Sequence, residues 1–316
     1  MGDLPSILGG ISADHFLNEY WQKKPLLIRR AIPNFDSPIS GEELAGLSLE
    51  KDIESRLIFE KGGKKPWELK LGPFEENIFQ NLPERYWTLL VQAVDLWVPN
   101  VKKLTNYFCF LPSWRLDDIM VSYAPEGGSV GPHFDNYDVF LLQGLGERKW
   151  KLGQKCDSTT PILNNNLLSI VEDFKKNQEW VLGPGDMLYV PPKLAHWGIA
   201  CSNSLTYSVG FRSPSIEEML GDLTAILMKK NHSNFYTDPP LKSNMAKTSI
   251  DPAFIQQVKK MLEELMKDDE LLNDWFAKYM TTPKFPDLSE ELNEQRIAKV
   301  AGISYINGKK KAAQTR

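Results

Sequence analysis

Hydrophobic positions along this 316-residue chain follow three successive textures. Over residues 1–110, helical and extended spacings alternate. Phe16, Leu17, Tyr20 and Trp21 recur at the spacing of one helical face, with Ser12 at the N-cap position. Pro25 stops that helix, and Leu26-Leu27-Ile28 follows as a short strand. Ser40-Gly41-Glu42-Glu43 has the form of a capping box ahead of Leu44 and Leu47; its Ser hydroxyl and Glu carboxylate each take a backbone N–H. Trp87, Leu90, Val91 and Val94 predict a further helix over 81–97.

From 119 to 211 the period shortens. Runs rich in β-branched and aromatic residues fall at 119–124, 137–143, 149–152, 179–182, 187–190 and 205–211. Pro125-Glu126-Gly127-Gly128, Gly144-Leu145-Gly146 and Gly183-Pro184-Gly185 punctuate them. Short strands at regular spacing with turn residues between them predict a sandwich or barrel. Beyond 211 the helical period returns. Residues 215–230 read as a helix, 237–251 as a connection, and 252–280 as a long amphipathic helical stretch carrying Phe254, Val258, Leu262 and Leu265. The Lys309-Lys310-Lys311 end reads as a solvated tail.

Composition narrows the class. Apolar residues are 42% and charged residues 25%, which excludes a wholly disordered chain. Lys plus Arg is 37 against 41 Asp plus Glu, a net charge of −4. That balance excludes a basic duplex-coating protein, so no direct nucleic-acid binding is expected. No apolar run approaches the ~18–20 residues of a membrane helix. The first residues lack a basic end and an apolar stretch, so no secretory signal is expected. Gly2 with Ser6 meets the loose myristoylation pattern, which reads as a chance match. Cys109, Cys156 and Cys201 are far apart and odd in number, which fits a reducing, cytoplasmic setting and chemistry without cysteine.

The candidate chemistry rests on histidine, of which the chain has four. His133-Phe134-Asp135 sets an imidazole and a carboxylate two residues apart, on one face if the segment is a strand. The segment Gly183-Pro184-Gly185-Asp186-Met187-Leu188-Tyr189-Val190-Pro191-Pro192 leads, after a stiffened bend, to His196. Two histidines and one carboxylate on one side of a metal leave the other positions open, the arrangement that suits non-haem Fe(II) with oxygen. His15 and His232 read as surface histidines.

With these residues the chain resembles the JmjC-like cupin 2-oxoglutarate oxygenases, and among them the bacterial ribosomal oxygenases. Trp21–Pro25, Leu89-Leu90-Val91-Gln92-Ala93-Val94, Gly131–Phe140 and Tyr207-Ser208-Val209-Gly210-Phe211-Arg212 carry the likeness beyond the metal motif. The resemblance implies an α+β fold: N-terminal mixed elements over 1–110, a double-stranded β-helix core over 111–213, a helical dimerisation region over 214–280, and over 281–316 a short tail or truncated winged-helix-like end. It implies Fe(II) held by His133, Asp135 and His196, with 2-oxoglutarate and O2 as co-substrates. Arg148 then meets the far carboxylate of 2-oxoglutarate, a task suited to a bidentate and permanently charged fork, with Ser122 as a hydroxyl donor to the same group.

The implied reaction is hydroxylation at C3 of an arginine in the sixteenth protein of the large ribosomal subunit, by a homodimer. Strand alternation groups Asp118, Met120 and Ser122, with Tyr137 and Ser208 facing the same space. Asp118 would pair with a guanidinium while Met120 and Tyr137 flank its aliphatic stem. A histidine-hydroxylating oxygenase and a non-oxidative metal-binding cupin are the competing readings; Asp118 discriminates the first and Arg148 the second.

Overall fold

The computed structural model describes residues 7–60, 67–163, 168–229, 235–241, 248–292 and 294–311. His232, Gly2 and Ser6 lie outside the described residues. The chain divides into two compact units, Met1–Ser213 and Pro214–Arg316.

In the first unit, α1 (Ala13–Glu19) starts at Ser12, whose hydroxyl accepts the His15 N–H. Then come β1 (Leu26–Ile28) and α2 (Gly41–Leu47), the latter opened by the complete Ser40/Glu43 capping box. There follow β2 (Ser55–Glu60), β3 (Trp67–Leu71), α3 (Glu76–Gln80), β4 (Trp87–Val91), α4 (Val94–Trp97) and α5 (Pro99–Lys102). The helix expected over 81–97 is therefore a strand followed by one helical turn. All five residues of β4 are buried, so its apolar run fills both faces of a central strand and carries no period that separates strand from helix. Ala93 enters the left-handed region at φ 52° and turns the chain between the two elements.

The remaining strands are β5 (Leu116–Ala124), β6 (Val139–Leu145), β7 (Arg148–Lys155), β8 (Gln178–Leu182), β9 (Met187–Val190), β10 (Leu194–Ala200) and β11 (Ser204–Phe211). Among the described residues they form two antiparallel sheets. The larger runs β1-β9-β6-β11-β5-β4-β2-β3 and the smaller β10-β7-β8. Alternation gives the large sheet two different faces. Phe140, Leu142, Tyr189, Val121 and Val209 join the N-terminal Phe16 in one apolar cluster. Val139, Leu141, Leu188 and Val190 instead pack with Trp150, Leu152 and Leu182 of the small sheet. Phe140 is fully buried, with the rings of Tyr189 and Phe108 at 4.9 and 5.0 Å; burying one such ring contributes about 2–3 kcal/mol. Two facing antiparallel sheets, one clad in helices and both lining an interior, make the expected double-stranded β-helix.

The second unit begins with α6 (Ile216–Lys229), opened by reciprocal hydrogen bonds between Ser215 and Glu218. The amphipathic helical stretch expected over 252–280 consists of two helices, α7 (Pro252–Met266) and α8 (Asp269–Thr281). Asp268 makes the break, its carboxylate accepting the Leu271 N–H as the cap of α8. Within 281–316, expected as a short tail or a truncated winged-helix-like end, lie α9 (Pro286–Glu291) and a three-stranded sheet of β12 (Ile297–Val300), β13 (Ile303–Ile306) and β14 (Lys309–Lys310). Buried Tyr305 of β13 donates to Asp274 of α8 at 3.3 Å. No helix among the described residues is long and apolar enough to cross a membrane.

Candidate metal centre and its cavity

His196 lies in β10, while His133 precedes β6 in a segment that pairs with β10 through two isolated bridges, His133–His196 and Ser129–Ile199. The backbone of each histidine donates to the carbonyl of the other, at 3.0 and 2.8 Å. The H-x-D motif is therefore not in a regular strand, but the bridge aims both side chains as a strand would. The ligand atoms of His133, Asp135 and His196 lie within 4.8 Å of one another. His196 Nε2 stands 3.6 Å from Asp135 Oδ2, and the imidazole centroids are 4.3 Å apart.

The opposite ring nitrogens decide what these groups can do. His133 Nδ1 is 3.0 Å from the Gly131 carbonyl, and His196 Nδ1 is 3.0 Å from the Leu194 carbonyl. A carbonyl can only accept, so each ring carries its proton on Nδ1 and directs the Nε2 lone pair to the shared point. Burial, reinforced by His133, pulls His196 down to about 4, which keeps its imidazole in the neutral, ligating form. Two neutral imidazoles and one carboxylate fit a divalent first-row metal with open positions.

Local sequence explains how the loop is held. Gly131 sits at φ +81°, and a Cβ there would lie 2.5 Å from Ile170 Cδ1. That conformation sets the carbonyl that orients His133. At the far end of the loop, fully buried Asp138 accepts from Tyr189 Oη at 2.6 Å and from Gln22 Nε2 at 3.1 Å. In the Gly183–Asp186 turn, the Asp186 carboxylate accepts the Gly183 and Arg30 N–H groups and pairs with Arg29 at 2.6 Å.

The triad opens into a cavity of about 320 Å3. Met120, Ser122, Tyr137, Arg148 and Ser208 all line it. Arg148 is 4% exposed and opens β7, with Trp150 beside it on the same face. Its Nη1 donates to Ser122 Oγ and its Nη2 to Ser204 Oγ, each at 3.3 Å, while Nε has no partner. Among the described residues no carboxylate pairs with it. Burial pulls its guanidinium down to about 10, still charged at neutral pH. A buried cation without a carboxylate partner, beside a metal-type ligand set, has the charge and the desolvation that suit an incoming anion.

Asp118 is 7% exposed and accepts from Gln92 Nε2 at 2.7 Å; it stands near the cavity without lining it. Tyr137 is 42% exposed at the mouth, its phenol pushed well above the usual range by burial and by the charges of Asp135 and Asp118. Sequence reasoning gave no role to Arg56, Ser204 or the 168–170 segment, yet Arg56 and that segment line the cavity and Ser204 holds Arg148. Thr206 Oγ1 donates to Gln143 Oε1 at 3.0 Å.

Fold and ligand set together define a JmjC-type cupin with a facial two-histidine, one-carboxylate centre. Residues 103–219 match the JmjC domain. The chain is 39% identical over 267 residues to the ribosomal protein uL16 3-hydroxylase of Escherichia coli (strain K12), covering 84% of this chain and 70% of that one. It is 36% identical over 274 residues to a probable ribosomal oxygenase of Haemophilus influenzae, covering 84% and 67%. It also superposes on YcfD, a ribosomal oxygenase from Escherichia coli, in complex with cobalt and 2-oxoglutarate. There the TM-score is 0.83 and the identity 33%, over 97% of this chain and 87% of that one. The chain belongs to the JmjC-domain ribosomal oxygenase family.

Proposed function

We propose that this protein is an Fe(II)- and 2-oxoglutarate-dependent dioxygenase that hydroxylates C3 of an arginine in the large-subunit ribosomal protein uL16. The observation that carries the reading is Arg148, a buried guanidinium without a carboxylate in the cavity that holds His133, Asp135 and His196. A metal-binding cupin with no oxidative chemistry gives no reason to bury that charge. The relative that acts on uL16 and the neighbour solved with cobalt and 2-oxoglutarate support the substrate and the co-substrate.

When bound, iron, O2 and 2-oxoglutarate supply the oxidant for an unactivated C–H bond, with succinate and carbon dioxide as by-products. The chain's own residues do the rest. His133 and His196, fixed by their backbone carbonyls, and Asp135 would hold the metal on one side only. Arg148, with Ser122, would anchor the distal carboxylate of 2-oxoglutarate by charge-assisted hydrogen bonds. Met120 and Tyr137 would flank the target's aliphatic stem, with Asp118 and Ser208 taking its guanidinium. Positioning of this kind lets one carbon among several be attacked. Asp118 favours arginine over histidine, because a carboxylate stabilises a guanidinium more than a neutral imidazole.

A cytoplasmic homodimer completes the reading. Ile255, Val258, Leu262 and Met266 form an exposed apolar stripe at helical spacing on α7, no residue of which is buried. The test is anaerobic loading with Fe(II) and 2-oxoglutarate, then O2 and a uL16 peptide, then fragment mass spectrometry. One oxygen gained on an arginine, and lost in His133→Ala, is expected. Succinate without peptide oxidation would overturn the substrate, and no succinate from metal-loaded protein would overturn the enzyme.

A further inference from the structure

The segment Leu89–Val94 is part of the family likeness, yet neither the metal nor the 2-oxoglutarate reading uses its polar member, Gln92. This residue leaves β4 just before the left-handed turn at Ala93. Its Oε1 accepts from Arg56 Nη2 at 3.2 Å, and its Nε2 donates to Asp118 Oδ2 at 2.7 Å. Arg56 can only donate and ionised Asp118 can only accept, so the amide has one orientation that satisfies both. Three residues on, buried Asp95 accepts the Ile119 N–H at 2.8 Å. One corner of the chain thus grips two consecutive residues of β5, the Asp118 carboxylate by a side-chain amide and the Ile119 backbone by a carboxylate.

We infer that Gln92 is a positioning residue for the substrate guanidinium: polarised by Arg56, it holds the Asp118 carboxylate in the orientation that receives the target arginine. The inference rests on the proposed arginine substrate. Arg56 lines the cavity, and a cation left to pair directly with Asp118 would compete for the same oxygens. The interposed amide keeps the two charges apart while transmitting the polarisation. A glutamate at position 92 would pair with Arg56 and repel Asp118.

The test is a cycle of Gln92→Glu, Gln92→Ala, Asp118→Asn and the Gln92→Glu/Asp118→Asn double variant, with KM and kcat measured for a uL16 peptide. Thermal stabilisation by Mn(II) plus 2-oxoglutarate shows that each variant is folded with its metal and co-substrate sites intact. Gln92→Glu is expected to raise KM for the peptide about tenfold or more, the loss of one hydrogen bond to a charged group, with Gln92→Ala smaller. In the Asp118→Asn background the same glutamate is expected to have little effect, because the amide introduced at position 118 can donate to it. An unchanged KM in both Gln92 variants, or an equal effect in the two backgrounds, overturns the inference while the proposed function stands. A wild-type protein that forms succinate but leaves the peptide arginine unoxidised overturns both.

Discussion

Arg148→Met separates the cost of a buried charge from its use. The guanidinium is 4% exposed, makes two 3.3 Å hydrogen bonds to hydroxyls and has no carboxylate partner among the described residues. Its fall from 12.5 to about 10, caused by burial, corresponds to roughly 3 kcal/mol of disfavoured charging in the ligand-free protein. Methionine fills similar space without the charge. The free variant is therefore expected to melt at or above the wild-type temperature, as when buried ionic groups are replaced by apolar ones of like volume. Its affinity for 2-oxoglutarate should fall by about 3 kcal/mol or more, roughly a 150-fold rise in Kd, since a buried carboxylate would lose its charged partner. Calorimetric titration with 2-oxoglutarate in the presence of Mn(II), with thermal melts of the free proteins, measures both quantities. A variant that binds 2-oxoglutarate normally, or whose free form melts many degrees lower, would refute the reasoning that Arg148 is a strained receptor.

Three further outcomes are expected. Gly131→Ala puts a Cβ at φ +81° and 2.5 Å from Ile170 Cδ1, costing about 1–2 kcal/mol of stability; it shifts the carbonyl that orients His133, so metal affinity measured by competition should fall with it. The folded-state value of His196 is depressed, so the metal-free protein binds fewer protons than the unfolded chain between about pH 4 and 6.5. Stability then falls as pH drops through that window, by roughly 3 kcal/mol in all, and His196→Gln should remove that part of the slope in denaturant titrations. Val258→Asp charges the exposed α7 stripe; light scattering is expected to show a dimer for the wild type and a monomer for the variant, and a dimer retained in the variant would exclude that face.

The metal ligands were legible because the chain states them in local text. H-x-D after a Gly turn, and a Gly-Pro-Gly-Asp turn running through a strand to His196, announce ligand types and turn chemistry within a few residues. Arg148 came from the family resemblance; the structure places it at the start of β7, on the cavity face with Trp150. What stayed hidden depends on pairing across the large sheet. β4 is buried on both faces, so its apolar run reads equally as helix, and with that misreading β2 and its Arg56 lose their link to β5 and the cavity. Only the Arg56–Leu90–Ser122 register puts Arg56 on the cavity side, and register is not written in any one strand. The boundary at Asp268 was hidden because the apolar period continues across this capping residue.

The central claim is that one protein couples 2-oxoglutarate breakdown to arginine oxidation. Heavy-isotope-labelled O2 tests it most directly, with the purified protein, Fe(II), 2-oxoglutarate and a uL16 peptide, followed by mass spectrometry of peptide and succinate. The account predicts one labelled oxygen in the arginine side chain and one in succinate, in near-equal amounts, both lost in Arg148→Met at limiting 2-oxoglutarate. Label in neither product from protein shown to hold its metal would contradict it.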